Sequence, residues 1–196
     1  MAMKKIQDHY FKEARKQGYV ARSAFKLEEM DRKFRLLRRG QHVIDLGCAP
    51  GSWLQYAAKK VLPEGSLTGV DLKQVKIQFP ESVRIFQSDI SMLEESILAS
   101  SRFDLVLSDM APDTTGIPSV DSQRSYDLNS QALSFAQRHL KPGGTLVLKA
   151  FQGEPLNRFK SEIRLCFESL KLFKPKSSRS ESVEIFVLGF GLLPQS

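Results

Sequence analysis

The 196-residue sequence contains little cysteine or histidine and has no long apolar run. No stretch approaches the roughly 20 consecutive apolar residues that a membrane-spanning helix requires. Its first ten residues, MAMKKIQDHY, carry charged side chains where a secretory signal would carry an apolar core. We therefore expect a cytoplasmic protein that does not associate with membranes.

The two cysteines, Cys48 and Cys166, are too few for a disulfide framework and have no short-range partners for a zinc site. The three histidines are scattered and form no HxxxH or HxH pair. We therefore expect a reducing compartment and no metal site. A chain of this length can form one sizeable core but not two large domains.

The positive charge of the chain is concentrated near its beginning. Residues 1–39 hold twelve lysines and arginines against five acidic residues, whereas the rest of the chain holds seventeen of each sign. The whole net charge of +7 therefore lies in the first fifth of the sequence. This asymmetry is typical of a protein that binds a polyanion such as nucleic acid, although a solvated basic helix gives the same pattern.

After residue 40, short β-branched runs alternate with amphipathic stretches, a pattern that predicts a sheet with crossover helices. The predicted strands are His42–Leu46, Ser66–Asp71, Val83–Gln87, Phe103–Ser108, Thr145–Lys149, a segment near Leu170–Phe173, and Val183–Phe190. The predicted helices are Ser52–Val61, Met92–Ala99, Ser122–His139 and Leu156–Phe167, with a further helix inside Val20–Phe34.

Strands separated by helices should build a parallel sheet with helices on both faces. The last connection leaves no room for an ordinary helix, so the final two strands should pair antiparallel. A seven-stranded, mostly parallel sheet with an antiparallel C-terminal hairpin resembles the class I, Rossmann-like methyltransferase fold of the α/β class. We therefore divide the chain into a basic helical segment, residues 1–39, and a sheet domain, residues 40–196.

A glycine-rich turn, DLGCAPGSW, joins the first predicted strand to the first predicted helix. Gly47 and Gly51 remove side chains where a ligand must approach the backbone. The loop is GxxxG with Pro50 inside it, rather than the GxGxxG that places a pyrophosphate on a helix N-terminus. This spacing indicates a nucleoside-like ligand without a pyrophosphate, such as S-adenosylmethionine.

Aspartates at the ends of the next two predicted strands are candidates to complete this site. Asp71 closes the second strand, where a carboxylate can accept hydrogen bonds from ribose hydroxyls. Asp89 follows the third strand and could accept from an adenine amino group, although either aspartate could instead cap a turn or a helix. Trp53, the only tryptophan, is expected beside the pocket, with a core position as the alternative.

Four segments resemble the motifs of the RrmJ/FtsJ family of ribosomal RNA large-subunit 2′-O-ribose methyltransferases, in the same order and with similar spacing. They are DLGCAPGSW, SDMAPDTTGIPSVD, LVLKAFQGE and SSRSESVEIFV, and the likeness runs from about Tyr10 to the end of the chain. A GxxxG loop alone is shared by most class I methyltransferases, whereas the combined set is specific. The resemblance implies S-adenosylmethionine as cofactor and RNA as partner, within a ribosomal subunit or its precursor. We also expect a monomer.

The resemblance further implies individual site residues. The family's catalytic tetrad maps onto Lys26, Asp109, Lys149 and Glu184, with Glu181 as a nearby competitor for the glutamate role. The methyl-donor site maps onto Gly47, Ala49, Pro50, Gly51, Trp53, Asp71, Asp89 and Asp109. Ser52 and Cys48 stand where glycine and alanine are common in the family, and because both are small we expect little effect.

Paired lysines and carboxylates suit methyl transfer to a ribose hydroxyl. That hydroxyl is a poor nucleophile at neutral pH, so its oxygen needs a general base or a nearby cation as it attacks the sulfonium methyl. Lys149 and Asp109 end neighbouring predicted strands and should face one cleft, which leaves open whether Lys149 removes the proton or orients the hydroxyl. The stretch Ala111–Asp121 is expected to be a loop that shapes the substrate entrance.

The resulting hypothesis is S-adenosylmethionine-dependent methylation of an RNA ribose, namely a uridine of large-subunit ribosomal RNA, with residues 1–39 contacting the RNA. Transfer RNA or a capped RNA end remains an alternative substrate. A non-catalytic RNA-binding or ribosome-assembly protein would not need the complete tetrad. A small-molecule methyltransferase would not need the basic segment.

Overall fold

The computed structural model describes residues 2–93, 102–179 and 181–194, and these residues form one seven-stranded sheet with five α-helices. The strands are β1 (His42–Leu46), β2 (Ser66–Asp71), β3 (Val83–Gln87), β4 (Phe103–Ser108), β5 (Leu140–Phe151), β6 (Phe167–Phe173) and β7 (Glu184–Leu192). The helices are α1 (Ala2–Lys16), α2 (Ala24–Phe34), α3 (Ser52–Val61), α4 (Pro118–His139) and α5 (Glu154–Cys166). Within these residues, no helix is both long and apolar enough to cross a bilayer.

The sheet has the order β3-β2-β1-β4-β5-β7-β6. Strands β1 to β5 pair in parallel, whereas β7 runs antiparallel to both β5 and β6. This confirms the predicted fold class, including the antiparallel C-terminal hairpin. The helix predicted at Met92–Ala99 lies outside the described residues after Leu93, and its first residue ends a short 3₁₀ turn, Ile90–Met92.

The central strands are buried on both faces of the sheet, so successive residues of such a strand enter different hydrophobic clusters. In β4, Leu105 and Leu107 pack in the cluster that contains α2 and α3, whereas Val106 packs in the cluster that contains α4 and α5. All three side chains are fully buried. Since strand side chains point alternately to the two faces, this pattern confirms the expected helical layer on each side.

Two strands begin earlier than predicted because strand pairing extends them. β5 begins at Leu140 rather than Thr145, and Leu140 pairs with Phe103 at the start of β4. β6 begins at Phe167, directly after α5, and Phe167 pairs with Leu192 at the end of β7. The sequence Pro142-Gly143-Gly144 is typical of a turn, so the local pattern alone places the start of β5 after it.

The loop after β4 is also shorter than predicted. α4 begins at Pro118 rather than Ser122, since proline suits the first helical position, where its missing N–H needs no partner. The expected loop Ala111–Asp121 therefore ends before the helix, and Asp121 belongs to the first turn of α4.

Helix α2 is fixed against the sheet domain through its apolar face and one buried carboxylate. Leu27 and Met30 are fully buried in the cluster shared with α3. The Asp31 carboxylate accepts hydrogen bonds from the Leu37 backbone N–H and from the Tyr56 hydroxyl of α3, both at 2.8 Å. The functional side chains that α2 carries are therefore held rigidly relative to the sheet.

Candidate active site

A cavity of about 660 Å³, called here the donor cavity, opens where β1, β2, β3 and β4 end. Because the carboxyl ends of parallel strands share one edge of the sheet, residues that follow different strands meet there. Five residues predicted to bind the methyl donor line this cavity: Gly47, Ala49, Asp71, Asp89 and Asp109.

Asp71 ties the glycine-rich loop to the second strand. Its Oδ2 accepts a hydrogen bond from the Ala49 N–H at 2.8 Å, and its Oδ1 accepts from the Lys73 N–H at 2.7 Å. A carboxylate offers about four acceptor sites, so Asp71 keeps capacity for a ligand hydroxyl. The residue therefore fixes the shape of the donor cavity as well as lining it.

Asp89 has the capping role that the sequence left open. Its Oδ1 accepts from the Ser91 N–H at 2.8 Å and from the Ser91 hydroxyl at 2.7 Å, at the start of the 3₁₀ turn. These hydrogen bonds lower the pKa of Asp89, so the carboxylate stays charged. Asp89 also lines the donor cavity, where this charge faces the ligand space.

Three of the predicted donor residues do not line the donor cavity. Pro50 and Gly51 precede α3, and a side chain at Gly51 would clash with Ile77, since a Cβ there would lie 2.8 Å from Ile77 Cδ1. Trp53 is 2% exposed, its indole N–H donates to the Ser23 carbonyl at 2.8 Å, and its ring lies in the core. A contact of these residues with the donor stays a prediction.

The junction between α2 and α3 also gives a role to Ser52, which departs from the family pattern. Its hydroxyl lies 2.7 Å from the Ser23 hydroxyl, at hydrogen-bonding distance. Together with Trp53, it joins the glycine-rich loop to the start of α2. Cys48, the other departure, is 3% exposed, and burial together with the charges of Asp45 and Asp71 raises its pKa.

The four residues of the predicted tetrad form two buried ion pairs. Lys149 Nζ, at the end region of β5, donates to Asp109 Oδ1 at 2.8 Å and to the Asp109 carbonyl at 2.7 Å. Lys26 Nζ, on α2, lies 2.6 Å from Glu184 Oε1 at the start of β7. The two lysines and Glu184 are each less than a tenth exposed. Glu181, the competitor in sequence, is exposed.

Phe186 links the two ion pairs. It pairs with Lys149 across the β5–β7 ladder, and Lys26 Nζ lies 5.8 Å from the centre of its ring. Burial raises the pKa of Glu184, but Lys26, Ser178 and Lys149 together outweigh burial and lower the pKa overall. Two cations and two carboxylates thus meet as one electrically balanced group.

The loop after β4 is pinned to α4 on one side of the donor cavity. Asp121 accepts hydrogen bonds from the backbone N–H groups of Thr115 and Gly116, at 2.7 and 3.1 Å. Arg124 donates to the Asp113 carbonyl at 3.2 Å. Arg124 and Asp113 both line the donor cavity, so this loop forms one of its walls.

Asp45 is a buried acid that the sequence analysis did not assign. It is 1% exposed, and neither carboxylate oxygen has a hydrogen-bond partner among the described residues. Burial, followed by the charges of Asp109 and Asp71, raises its pKa well above the usual range. The sequence signal that could have identified it is a charged residue inside a predicted buried strand.

The donor cavity has an acidic lining. Among its described lining residues, five carboxylates face two cations: Asp71, Asp89, Asp109, Asp113 and Asp127 against Lys73 and Arg124. Such a lining suits a ligand that carries positive charge, as S-adenosylmethionine does at its sulfonium and amino groups. The residues present therefore fit the expected donor.

Comparison with known proteins gives consistent results over nearly the whole chain. The model of the FtsJ-like methyltransferase family matches residues 19–192. Ribosomal RNA large subunit methyltransferase E of Oleidesulfovibrio alaskensis is 43% identical over 193 residues, covering 96% of this chain and 93% of that protein. The protein of the same name from Desulfatibacillum aliphaticivorans is 46% identical over 186 residues, covering 94% and 90%.

A solved structure agrees with these relatives. The crystal structure of a Plasmodium falciparum protein described as a ribosomal RNA methyltransferase aligns with a TM-score of 0.80 at 26% identity. It covers 90% of this chain and 100% of that one. Taken with the family match and the close relatives, these findings show that the chain is a methyltransferase of the FtsJ-like family.

Proposed function

We propose that this methyltransferase transfers the methyl group of S-adenosylmethionine to the 2′-hydroxyl of an RNA ribose, and that its target is a uridine of large-subunit ribosomal RNA. The observation that carries the proposal is the pair of buried lysine–carboxylate contacts beside the donor cavity. The names of the relatives, which specify the large ribosomal subunit, support this choice of RNA.

The acidic lining of the donor cavity binds the methyl donor in this proposal. When bound, S-adenosylmethionine supplies an electrophilic sulfonium methyl group. Asp71 and Asp89 hold the nucleoside part through their carboxylates, and Asp109 carries its negative charge at the edge of the donor cavity that adjoins Lys149. Attraction between these carboxylates and a cationic donor is strengthened by their partial burial.

Lys149 acts on the ribose hydroxyl. Its amine has three hydrogen-bonding directions, and Asp109 occupies two of them through its Oδ1 and its carbonyl. The third direction is left for the 2′-oxygen, either as an N–H donor or as a lone pair that accepts the proton. Asp109 thereby fixes the direction from which Lys149 meets the hydroxyl.

Lys26 and Glu184 form the second half of the catalytic group. The Lys26 ammonium adds positive charge near the oxygen that becomes negative during attack, which favours the transition state. Glu184 holds that ammonium in place, because an unpaired buried cation would be strongly disfavoured.

The basic segment contacts the RNA in this proposal. Lys12, Arg15 and Lys16 are exposed on α1, which packs on α2 through the rings of Tyr10 and Phe25. Phosphate contacts from such residues supply sequence-independent affinity. We further propose that the protein acts as a monomer in the cytoplasm, where it meets a ribosomal subunit or its precursor.

The test is a map of ribose methylation in total RNA from cells with and without the gene. We expect one 2′-O-methyluridine of large-subunit ribosomal RNA to disappear in the deletion strain and to return with the wild-type gene. The variant Lys160→Ala, which changes a lysine of α5 away from the site, should restore it equally. Unchanged ribosomal RNA with a methyl group lost from transfer RNA would overturn the proposed substrate, and no change in any RNA would overturn the activity.

A further inference from the structure

A second cavity, of about 240 Å³, lies at the opposite edge of the sheet from the donor cavity. Its walls come from the residues that follow α2, from the starts of β4 and β5, and from the antiparallel strand β7. We call it the basic pocket and define it by Arg35, Arg38, Asp104, Lys141, Gly143 and Phe190.

The charge of the basic pocket is positive. Its described lining residues include three cations and one carboxylate, and that carboxylate, Asp104, already pairs with Lys141 at 2.7 Å. Arg35 and Arg38 are exposed, and within the described ranges neither forms an ion pair with a carboxylate. Two guanidinium groups are therefore left for an external anion.

Two residues with positive φ shape the backbone of the basic pocket. Arg35 is the one non-glycine residue with positive φ in the described part of the chain, at 55°, and its N–H donates to the Asp31 carbonyl at 2.7 Å. Gly143 has φ +79° and open space where a side chain would stand. A left-handed residue commonly ends an α-helix, so Arg35 is an ordinary cap of α2, and Gly143 leaves open space beside the basic pocket.

Helix α2 connects the basic pocket to the catalytic group. Lys26 lies near its first turn and Arg35 caps its last, so the two lie about 14 Å apart along the axis. This path carries charges of both signs: Lys33 Nζ lies 4.8 Å from the ring centre of Phe173, Arg32 pairs with Glu28, and the Glu29 carboxylate accepts from the Lys176 backbone N–H. An extended polyanion lying along α2 would meet two exposed cations between the two sites, Arg32 and Lys33, and two carboxylates that already have partners.

We propose that the basic pocket binds a backbone phosphate of the substrate RNA, several nucleotides from the target ribose. The inference rests on the proposed function and adds a second contact to it. Arginine suits this role because its planar guanidinium can hold a phosphate through two parallel hydrogen bonds. Binding at a distance from the reacting hydroxyl lowers KM and leaves the chemical step unchanged.

The test compares two double variants that lose the same charge. Arg35→Gln/Arg38→Gln removes the free guanidinium groups of the basic pocket. Arg84→Gln/Arg164→Gln removes two exposed arginines from β3 and α5, away from α2. Both double variants are assayed with large ribosomal subunits purified from the deletion strain. Their affinity for the subunits is measured between 50 and 300 mM salt, and kcat and KM are measured for methyl transfer.

We expect the first variant to bind about tenfold more weakly, to flatten the salt dependence by about one to two ion equivalents, and to raise KM with kcat unchanged. The control should match wild type. Equal behaviour of the two variants, or a fall in kcat rather than a rise in KM, would overturn the inference. The single variant Arg38→Glu should reproduce the effect if the double variant is poorly folded.

The same experiment separates this inference from the proposed function. If the wild-type protein binds subunits but methylates no ribose, the proposed activity fails while the salt comparison still decides the role of the basic pocket. If wild-type binding shows no salt dependence, the phosphate contact is refuted whatever the activity.

Discussion

Each end of the β4–β5 strand pair carries a lysine–aspartate ion pair, and the two pairs differ in how far the lysine is exposed to water. At one end Lys141 pairs with Asp104, and at the other Lys149 pairs with Asp109. The Lys141 side chain is 41% exposed, whereas that of Lys149 is 9% exposed. An exposed pair adds little stability because water and salt screen it, whereas a buried pair must stay intact or leave an uncompensated charge.

This comparison extends to the cavities at the two ends. The donor cavity is acidic and suits a small cationic ligand, whereas the basic pocket is positive and suits a polyanion. The net charge of +7 for the whole chain does not predict the local charge of either cavity. In the two proposals made above, ligands of opposite sign therefore bind at opposite edges of one sheet.

The largest effect on activity is expected from replacing Lys149, the lysine of the buried ion pair. Lys149→Ala should lower kcat for methyl transfer by about a thousandfold, because it removes the group that meets the hydroxyl. RNA binding and donor binding should persist, as measured by filter binding and calorimetry. Lys160→Ala is the matched control, and retention of activity in Lys149→Ala would refute the mechanism.

Removing Glu184 should break the second buried pair. Glu184→Ala is expected to lower the free energy of unfolding by about 3 kcal/mol at neutral pH, because Lys26 is left buried without a partner. Denaturant unfolding measures this, with Glu81→Ala, at an exposed loop position, as control.

The same variant has a defined pH dependence. The pKa of Glu184 is lowered overall, because Lys26, Ser178 and Lys149 together outweigh burial. The stabilising effect of Glu184 is therefore present above the usual glutamate pKa of about 4.3 and is lost as pH falls through the lowered value. The difference between wild type and Glu184→Ala should therefore narrow in acid. A difference that widens in acid would contradict the ion pair.

The acidic character of the donor cavity is tested by Asp71→Asn. Loss of the charge should weaken S-adenosylmethionine binding about 10- to 100-fold, as expected for a charged hydrogen-bond acceptor. Calorimetry measures this, and binding to ribosomal subunits should not change. Glu81→Gln, at an exposed loop position, is the control. Equal donor affinity in both variants would show that the acidic lining does not select the donor.

The smallest effect is expected from α1, because Lys12, Arg15 and Lys16 are exposed and their charge is screened by water and salt. Replacing Lys12, Arg15 and Lys16 by glutamine should weaken subunit binding several-fold and flatten its salt dependence by about two ion equivalents. A triple control with Lys160, Arg84 and Arg164 replaced by glutamine loses the same charge. If both triples behave alike, general charge rather than α1 guides the RNA.

Local patterns in the sequence were sufficient for much of the fold. Apolar runs between turn-forming residues predicted the exact bounds of five elements: β1, β2, β3, β4 and α3. The early start of β5 depended on pairing with Phe103, a contact between residues far apart in the chain. Pro118 was misjudged because proline marks loops and first helical turns alike.

The site shows the same limit. Motif resemblance selected Lys26, Asp109, Lys149 and Glu184, and the structure pairs them. The basic pocket and the Ser23–Ser52 contact were not foreseen, since each joins segments that no local pattern connects. The position of Trp53 in the core, outside the donor cavity, is likewise set by packing and is seen only in the folded chain.

The position of Trp53 has a practical consequence. It is the only tryptophan of the protein, and its buried indole connects the start of α2 to the helix that follows the glycine-rich loop. Its fluorescence is therefore an internal probe of this junction that needs no added label. Separation of α2 from α3 would expose the ring to water and shift its emission to longer wavelength, so docking of the helix that carries Lys26 can be followed in real time.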